Sequence, residues 1–243
     1  MTTFATPKVT LIAHTAIVPD AIEQRLEIQE GSTDAETLTV YAGRSCYESW
    51  SRPNEKTRED KDYLRRTLFE QGHFSILEHA SATFYLTGVS RALLAEITRH
   101  RHLSFSVMSQ RFVSEEDANI VIPPAVRSAK EINEAYYDEE LGGGVIGATE
   151  NLKVMANLAI ATYAGLVEEL QEVEGLSRKQ AREAARAVLP NMVETRIVVT
   201  GNLRAWHEVI ARRTAPDADA EFQQVAGLIR DELKKLAPAI FTD

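Results

Sequence analysis

The sequence predicts an α+β fold: a helix-rich single domain with a small mixed or antiparallel sheet, and not a dinucleotide-binding fold. Helical patterns dominate the 243 residues. The few strand-like runs do not alternate regularly with them, as a parallel α/β sheet would require. The literal Gly-x-Gly-x-x-Gly match, Gly142 to Gly147, follows the acidic run Tyr136-Tyr137-Asp138-Glu139-Glu140-Leu141, which reads as helical. A dinucleotide site needs a strand there, so that phosphate meets a helix N-terminus, and acids would repel a pyrophosphate. The glycines read as a flexible hairpin loop.

Residues 1–7 read as loose, and Lys8 to Ala13 as a short strand alternating through Val9 and Leu11. Ser32 or Thr33 caps a helix running to about Tyr47, with Cys46 near its end. Pro53 and Asn54 mark a loop. Thr57 with Asp60 resembles a capping box and opens a helix ending at Gly72. A turn over Gly72 to His79 leads into a strand from Ala82 to Thr87. Ser90 then caps a helix carrying Leu93, Leu94 and Ile97 on one stripe. Asn119 to Ile122 reads as a strand stopped by Pro123 and Pro124. A helical hairpin follows, from about Ala125 to Glu140 and from Thr149 to Glu174. Ser177 and Gln180 form a capping box for a helix ending at Pro190. Val193 to Thr200 is the best strand in the chain. A helix from Leu203 to Arg213 and another from about Asp217 to Leu236 complete the reading.

With 44% apolar and 26% charged residues the composition is that of an ordinary globular protein. No apolar run approaches the ~18 residues of a membrane span. The first residues lack a charged segment followed by an apolar one, so no signal peptide is expected. The single cysteine, Cys46, excludes an intrachain disulfide framework. Together these predict a cytoplasmic location with no membrane partner. A net charge of −9 argues against general nucleic-acid binding.

Two further patterns point away from metal or thiol chemistry. His207-Glu208 begins like a zinc-protease helix, but Ala211 stands where the second ligand belongs. His73, His79, His100 and His102 follow no ligand spacing, so no metal is expected. Cys46 has no base beside it in sequence, and a lone helix cysteine of this kind reads as buried and inert.

Against this acidic background, Arg91 to Arg111 holds four arginines, two histidines and a single acid, Glu96. Cations favour helix C-termini, which is one account of Arg99 to Arg101. The alternative is an anionic ligand held by forked guanidinium contacts. Arg101 lies seven residues after Leu94, so a helix continuing that far would turn it toward the buried side. A buried guanidinium needs a partner. Few acids are near, which favours a bound anion. Ser104, Ser106, Ser109 and Gln110 add donors and acceptors.

The run Arg99-His100-Arg101-x-x-Ser104-x-x-x-x-Ser109-x-Arg111 resembles the signature of the flavin-dependent thymidylate synthases. Gly72-His73-x-Ser75-x-x-Glu78-His79, Arg186-x-Val188-Leu189-Pro190 and Thr200-Gly201-Asn202-x-Arg204-x-Trp206 resemble other segments of that family, in order along the chain. The resemblance implies an enzyme, a methyltransferase that converts dUMP to dTMP. The carbon would come from 5,10-methylenetetrahydrofolate and the hydride from FAD reduced by NADPH. It also implies a homotetramer with sites shared between subunits. By position, Ser75, Arg99, His100, Arg101, Val107, Asn202, Leu203, Arg204 and Glu208 would lie against FAD. Arg91, Glu96, Ile97, Thr98, Arg99, the segment Val107, Met108, Ser109, Gln110, Arg111, and Arg186 and Arg213 would hold the nucleotide. Arg213 is the family's catalytic position. Arginine stays protonated and cannot act as base, but it can stabilise charge developing on uracil, with no enzyme thiol.

The chain departs from the family at Val107, where Glu or Gln is usual, at Glu208, where Asn or His faces the flavin, and at Asp217, often His. An acid at Glu208 would be unfavourable beside a reduced flavin unless turned away or protonated, and His207 is a possible substitute. Two other readings stay open: a non-enzymatic nucleotide or nucleic-acid binder using Arg91 to Arg111 as a phosphate patch, and a different flavoenzyme acting on a phosphorylated substrate.

Overall fold

Alternating β-branched and aromatic residues build the centre of the molecule, as seen in the computed structural model, which describes residues 3–134, 136–138 and 143–242. The elements run β1 (Lys8–His14), α1 (Pro19–Glu23), α2 (Asp34–Ser45), α3 (Asp60–Leu64), β2 (Ser81–Ser90), α4 (Arg91–Ile97) and β3 (Leu103–Val107). Then come α5 (Pro124–Ser128), β4 (Tyr136–Asp138), β5 (Gly143–Val145), α6 (Ala148–Glu172), α7 (Arg178–Ala185), β6 (Glu194–Asn202), α8 (Leu203–Arg213) and α9 (Ala220–Leu236).

The main sheet has the order β1-β2-β6-β3 and is antiparallel throughout. Period-two alternation puts Ala82, Phe84 and Leu86 of β2 beside Ile197 and Val199 of β6 on one buried face. Leu93 and Ile97 from α4, Trp206 and Val209 from α8, and Phe222 and Ile229 from α9 cover that face. Trp206 is fully buried, meets Phe84 edge-on at 5.1 Å and donates its indole N–H to the Ala82 carbonyl. A Cβ at Gly201 would stand 2.4 Å from the end of the Leu103 side chain, so a larger residue here would force Leu103 to move.

Local signals were realised where short-range chemistry sets them. Thr33 caps α2 with Glu36 closing the box, Ser177 and Gln180 do the same for α7, and α8 has the expected bounds. Gly72, at φ 71°, ends the helical run begun by α3.

Several expectations are corrected. Thr57 and Asp60 form no capping box. Thr57 closes a 3-10 turn whose carbonyl accepts from Arg44, and Asp60 is paired with Arg52 at 2.5 Å. α3 continues from Arg65 to Glu70 as a π-helix. The helix expected from Ala125 to Glu140 ends at Ser128, because Asn133 bonds back to Val126 and Ala129 and forward to Thr149. Tyr136–Asp138, read as helical, instead pairs antiparallel with Gly143–Val145. Residues 139–142 of that helix and of the glycine run lie outside the described residues. Asn119 to Ile122 supplies only isolated bridges at Ile120 rather than a strand. Within the opening segment, the backbones of Thr3 and Ala5 are bonded to Ile120.

Candidate active site

The arginine stretch is shaped by a short helix. Ser90 caps α4 by accepting from Leu93 N–H, and Thr98 ends it. The helix therefore does not carry on to Arg101, which is exposed; the helical phase argument for its burial fails at this point. The chain then turns into β3, whose Leu-Ser-Phe-Ser-Val alternation directs Ser104 and Ser106 away from the core.

One cluster forms where this turn meets α8. Arg213 Nε donates to His100 Nε2 at 3.0 Å, and its Nη1 lies 3.2 Å from Glu96 Oε2. Its guanidinium sits 4.7 Å above the Phe222 ring. His100 meets the same ring edge-on. Burial, then the charges of Arg213 and Arg212, lower the His100 pKa, which keeps the imidazole neutral and able to accept. Glu96 also pairs with Arg99 at 3.5 Å. Two pockets open beside this group. One of ≈ 200 Å³ is lined by Arg99, Arg101, Leu103, Glu208 and Arg212 among others, and one of ≈ 350 Å³ by Arg99, His100, Arg212, Arg213, Asp217 and Ala218. Glu208, the acid in doubt, lies 3.8 Å from Arg212, which offsets its charge. The neighbouring His207 ring lies tilted against Phe74 at 4.9 Å, and burial lowers its pKa.

The upstream segment reaches the other end of α8, its start. Arg204 pairs with Glu78, from the 3-10 turn Phe74–Glu78 that also exposes Ser75. Asn202 Oδ1 caps α8 by accepting from Ala205 N–H, and Leu203 is fully buried with its N–H bonded to Ala80. Ile97 is likewise a core residue. Side-chain contact to a ligand is therefore closed to Leu203 and Ile97. Thr98 closes back on Leu94 through its hydroxyl.

The remaining predicted residues gather in a second cluster. Arg91 Nη2 donates to the Met108 carbonyl at 3.0 Å and lies 3.9 Å from Glu115. Arg186, at the end of α7, is close enough to lower the Arg91 pKa, although burial is the larger cause. Arg111 stands 2.8 Å from Glu183 of α7, and Ser109 accepts from Arg111 N–H. Val107 ends β3 opposite Ile197, and its side chain is half-buried.

Arg212, Phe222 and Glu115 were not legible as site residues. Arg212 could have been found, since it shares the last turn of α8 with Arg213. Phe222 and Glu115 carry no sequence signal. Among the described residues no three of His, Cys, Asp and Glu converge as a metal site. Cys46 is exposed rather than buried, because it caps the end of α2 and donates weakly to Ala42 O. Among the described residues no helix is long and apolar enough to cross a membrane.

The architecture is shared with thymidylate synthase X from Helicobacter pylori, a structure solved with FAD and dUMP: TM-score 0.63, 20% identity, 98% of this chain and 100% of the other covered. That likeness defines the fold class. Residues 28–239 match the family described as thymidylate synthase complementing protein. A flavin-dependent thymidylate synthase of Mycobacteroides abscessus is 48% identical over 221 residues, covering 87% of this chain and 82% of its own. One from Mycobacterium tuberculosis is 44% identical over the same coverage. The chain belongs to the family of the flavin-dependent thymidylate synthases.

Proposed function

We propose that this protein is a flavin-dependent thymidylate synthase, reductively methylating dUMP to dTMP with 5,10-methylenetetrahydrofolate, FAD and NADPH. The observation that carries the reading is Arg213, oriented by His100, Glu96 and Phe222 at the edge of a pocket lined by further arginines. A guanidinium fixed on three sides can meet negative charge developing on a uracil ring without reorganising. His100 supports it by accepting its Nε–H while uncharged, so no second cation competes at that atom.

The residues fit a phosphorylated flavin. Arg99, Arg101 and Arg212 line the smaller pocket, whose lining acid, Glu208, pairs with Arg212, while Ser75 and Arg204, the latter paired with Glu78, stand toward the start of α8. Bound and reduced, FAD would supply the hydride. Arg91, the Met108–Arg111 segment and Arg186 would hold the nucleotide, with backbone N–H groups near Ser109 adding uncharged donors. These residues and those around Arg213 form separate clusters within one chain. That separation supports a site completed by a neighbouring subunit, in the homotetramer that the family resemblance implies. The reading treats the chain as one domain, located in the cytoplasm.

The test is release of tritium from 5-tritiated dUMP, requiring NADPH, FAD and the folate together. Arg213→Lys, which keeps the charge and loses the planar fork, should retain flavin while turnover falls roughly 100-fold. A colourless protein that binds nucleotide would favour the simple phosphate-patch binder. A yellow protein whose spectrum ignores dUMP would point to another flavoenzyme.

A further inference from the structure

Glu115 has no role in the site beyond its place beside Arg91, yet it is among the most buried acids of the described residues, with a side chain 2% exposed. It lies in the loop after β3, and its Oε1 sits 3.9 Å from Arg91 Nη2 with no hydrogen-bond partner. That Arg91 nitrogen already donates to the Met108 carbonyl. Burial is the largest influence on this carboxyl and disfavours its ionised form, while Arg91 and then a side-chain hydrogen bond from Gln110 favour it. A buried carboxylate is costly unless it answers a charge. The charge here is Arg91, which also faces Arg186.

We propose that Glu115 is a positioning residue for the phosphate of the nucleotide: it holds Arg91 in place and, through the bond from Arg91 to the Met108 carbonyl, fixes the Met108–Arg111 segment that the same anion would meet. The proposal rests on the nucleotide reading of this cluster. With no ligand, Arg91 and Arg186 repel each other. Glu115 offsets that repulsion from the buried side and leaves the cluster set for an incoming anion. Among the described residues the buried Arg91 Nε has no hydrogen-bond partner. Removing the carboxylate charge should let Arg91 swing away from Arg186 and loosen the segment, weakening whatever binds through the phosphate.

Glu115→Gln keeps the shape and loses the charge; Glu115→Asp keeps the charge and withdraws it by one methylene. Affinities for dUMP and for deoxyuridine, which lacks the phosphate, are read from the flavin spectrum of the FAD-loaded enzyme. The expected result for Glu115→Gln is an approximately tenfold weaker dUMP Kd, the scale of one charge-assisted contact, with deoxyuridine binding and flavin content unchanged. Glu115→Asp should fall between this variant and the wild type. Equal weakening for both ligands would mean that Glu115 only supports the fold, and an unchanged dUMP Kd would remove the role altogether. Should Glu115→Gln not fold, Glu115→Asp alone decides by the same comparison. Failure of the wild-type protein to bind dUMP would instead overturn the nucleotide reading on which the proposal stands.

Discussion

His100 shows how one side chain can couple the site to pH. Its folded pKa lies below the ordinary value of 6.5, because of burial first and then Arg213 and Arg212, with Glu208 opposing and Arg99 adding to the effect. A depressed pKa contributes stability that is complete above 6.5 and is lost as pH falls through the folded value. Protonation also removes the acceptor that holds Arg213 Nε and leaves two cations in contact. Thermal unfolding from pH 8 to pH 5 should therefore show a loss of Tm in the wild type that is smaller in His100→Gln. The depressed His207 contributes in the same direction in both proteins and cancels in the comparison. Identical profiles would show that His100 does not govern this window.

At the scale of elements, α4 is held by a contact from far along the chain. Ser90 N–H and Oγ donate to the two oxygens of Glu221, at 2.7 and 2.6 Å, while the same Oγ accepts from Leu93 N–H. Glu221, on α9, thus completes the cap of the helix that presents Arg91 and Glu96. Glutamine at this position has one acceptor in place of two and leaves a buried donor unmet. Glu221→Gln should cost roughly 1–3 kcal/mol in urea unfolding. It should also loosen the start of α4, read as faster amide exchange over residues 90–94. Unchanged stability would show that water or a neighbour replaces the lost acceptor.

At the scale of the whole molecule, the prediction concerns assembly. Arg111 pairs with Glu183 on α7, and Arg213 with Glu96 and His100 at the end of α8. The shared-site reading has neighbouring subunits supply the two to one nucleotide. Arg111→Ala and Arg213→Ala should each be nearly inactive, because each removes a charge-assisted contact. Refolded together in equal amounts, they should regain activity, since random mixing leaves about a quarter of sites with both arginines intact. No recovery in a mixture whose subunit exchange is confirmed by mass would place both arginines in one chain's site.

The sequence alone determined the features that neighbouring residues decide. The caps at Thr33 and Ser177, the bounds of α8 and the strand character of β6 follow from side chains three or four positions apart, or from alternation along one strand. The concentration of arginine between Arg91 and Arg111 was legible for the same reason, and its residue order was enough to indicate the family. Tertiary contacts decided the rest. Asp60 left its expected capping box because Arg52 pairs with it, and β3, for which no element was expected, forms where Leu103 docks opposite Gly201 of β6. The partners of Arg213 lie 113 and 117 positions away, and Glu115 reaches Arg91 from another loop. No local pattern encodes such neighbours. They become neighbours only when burial of Phe84, Trp206 and Phe222 brings α4, α8 and α9 onto one face of the sheet.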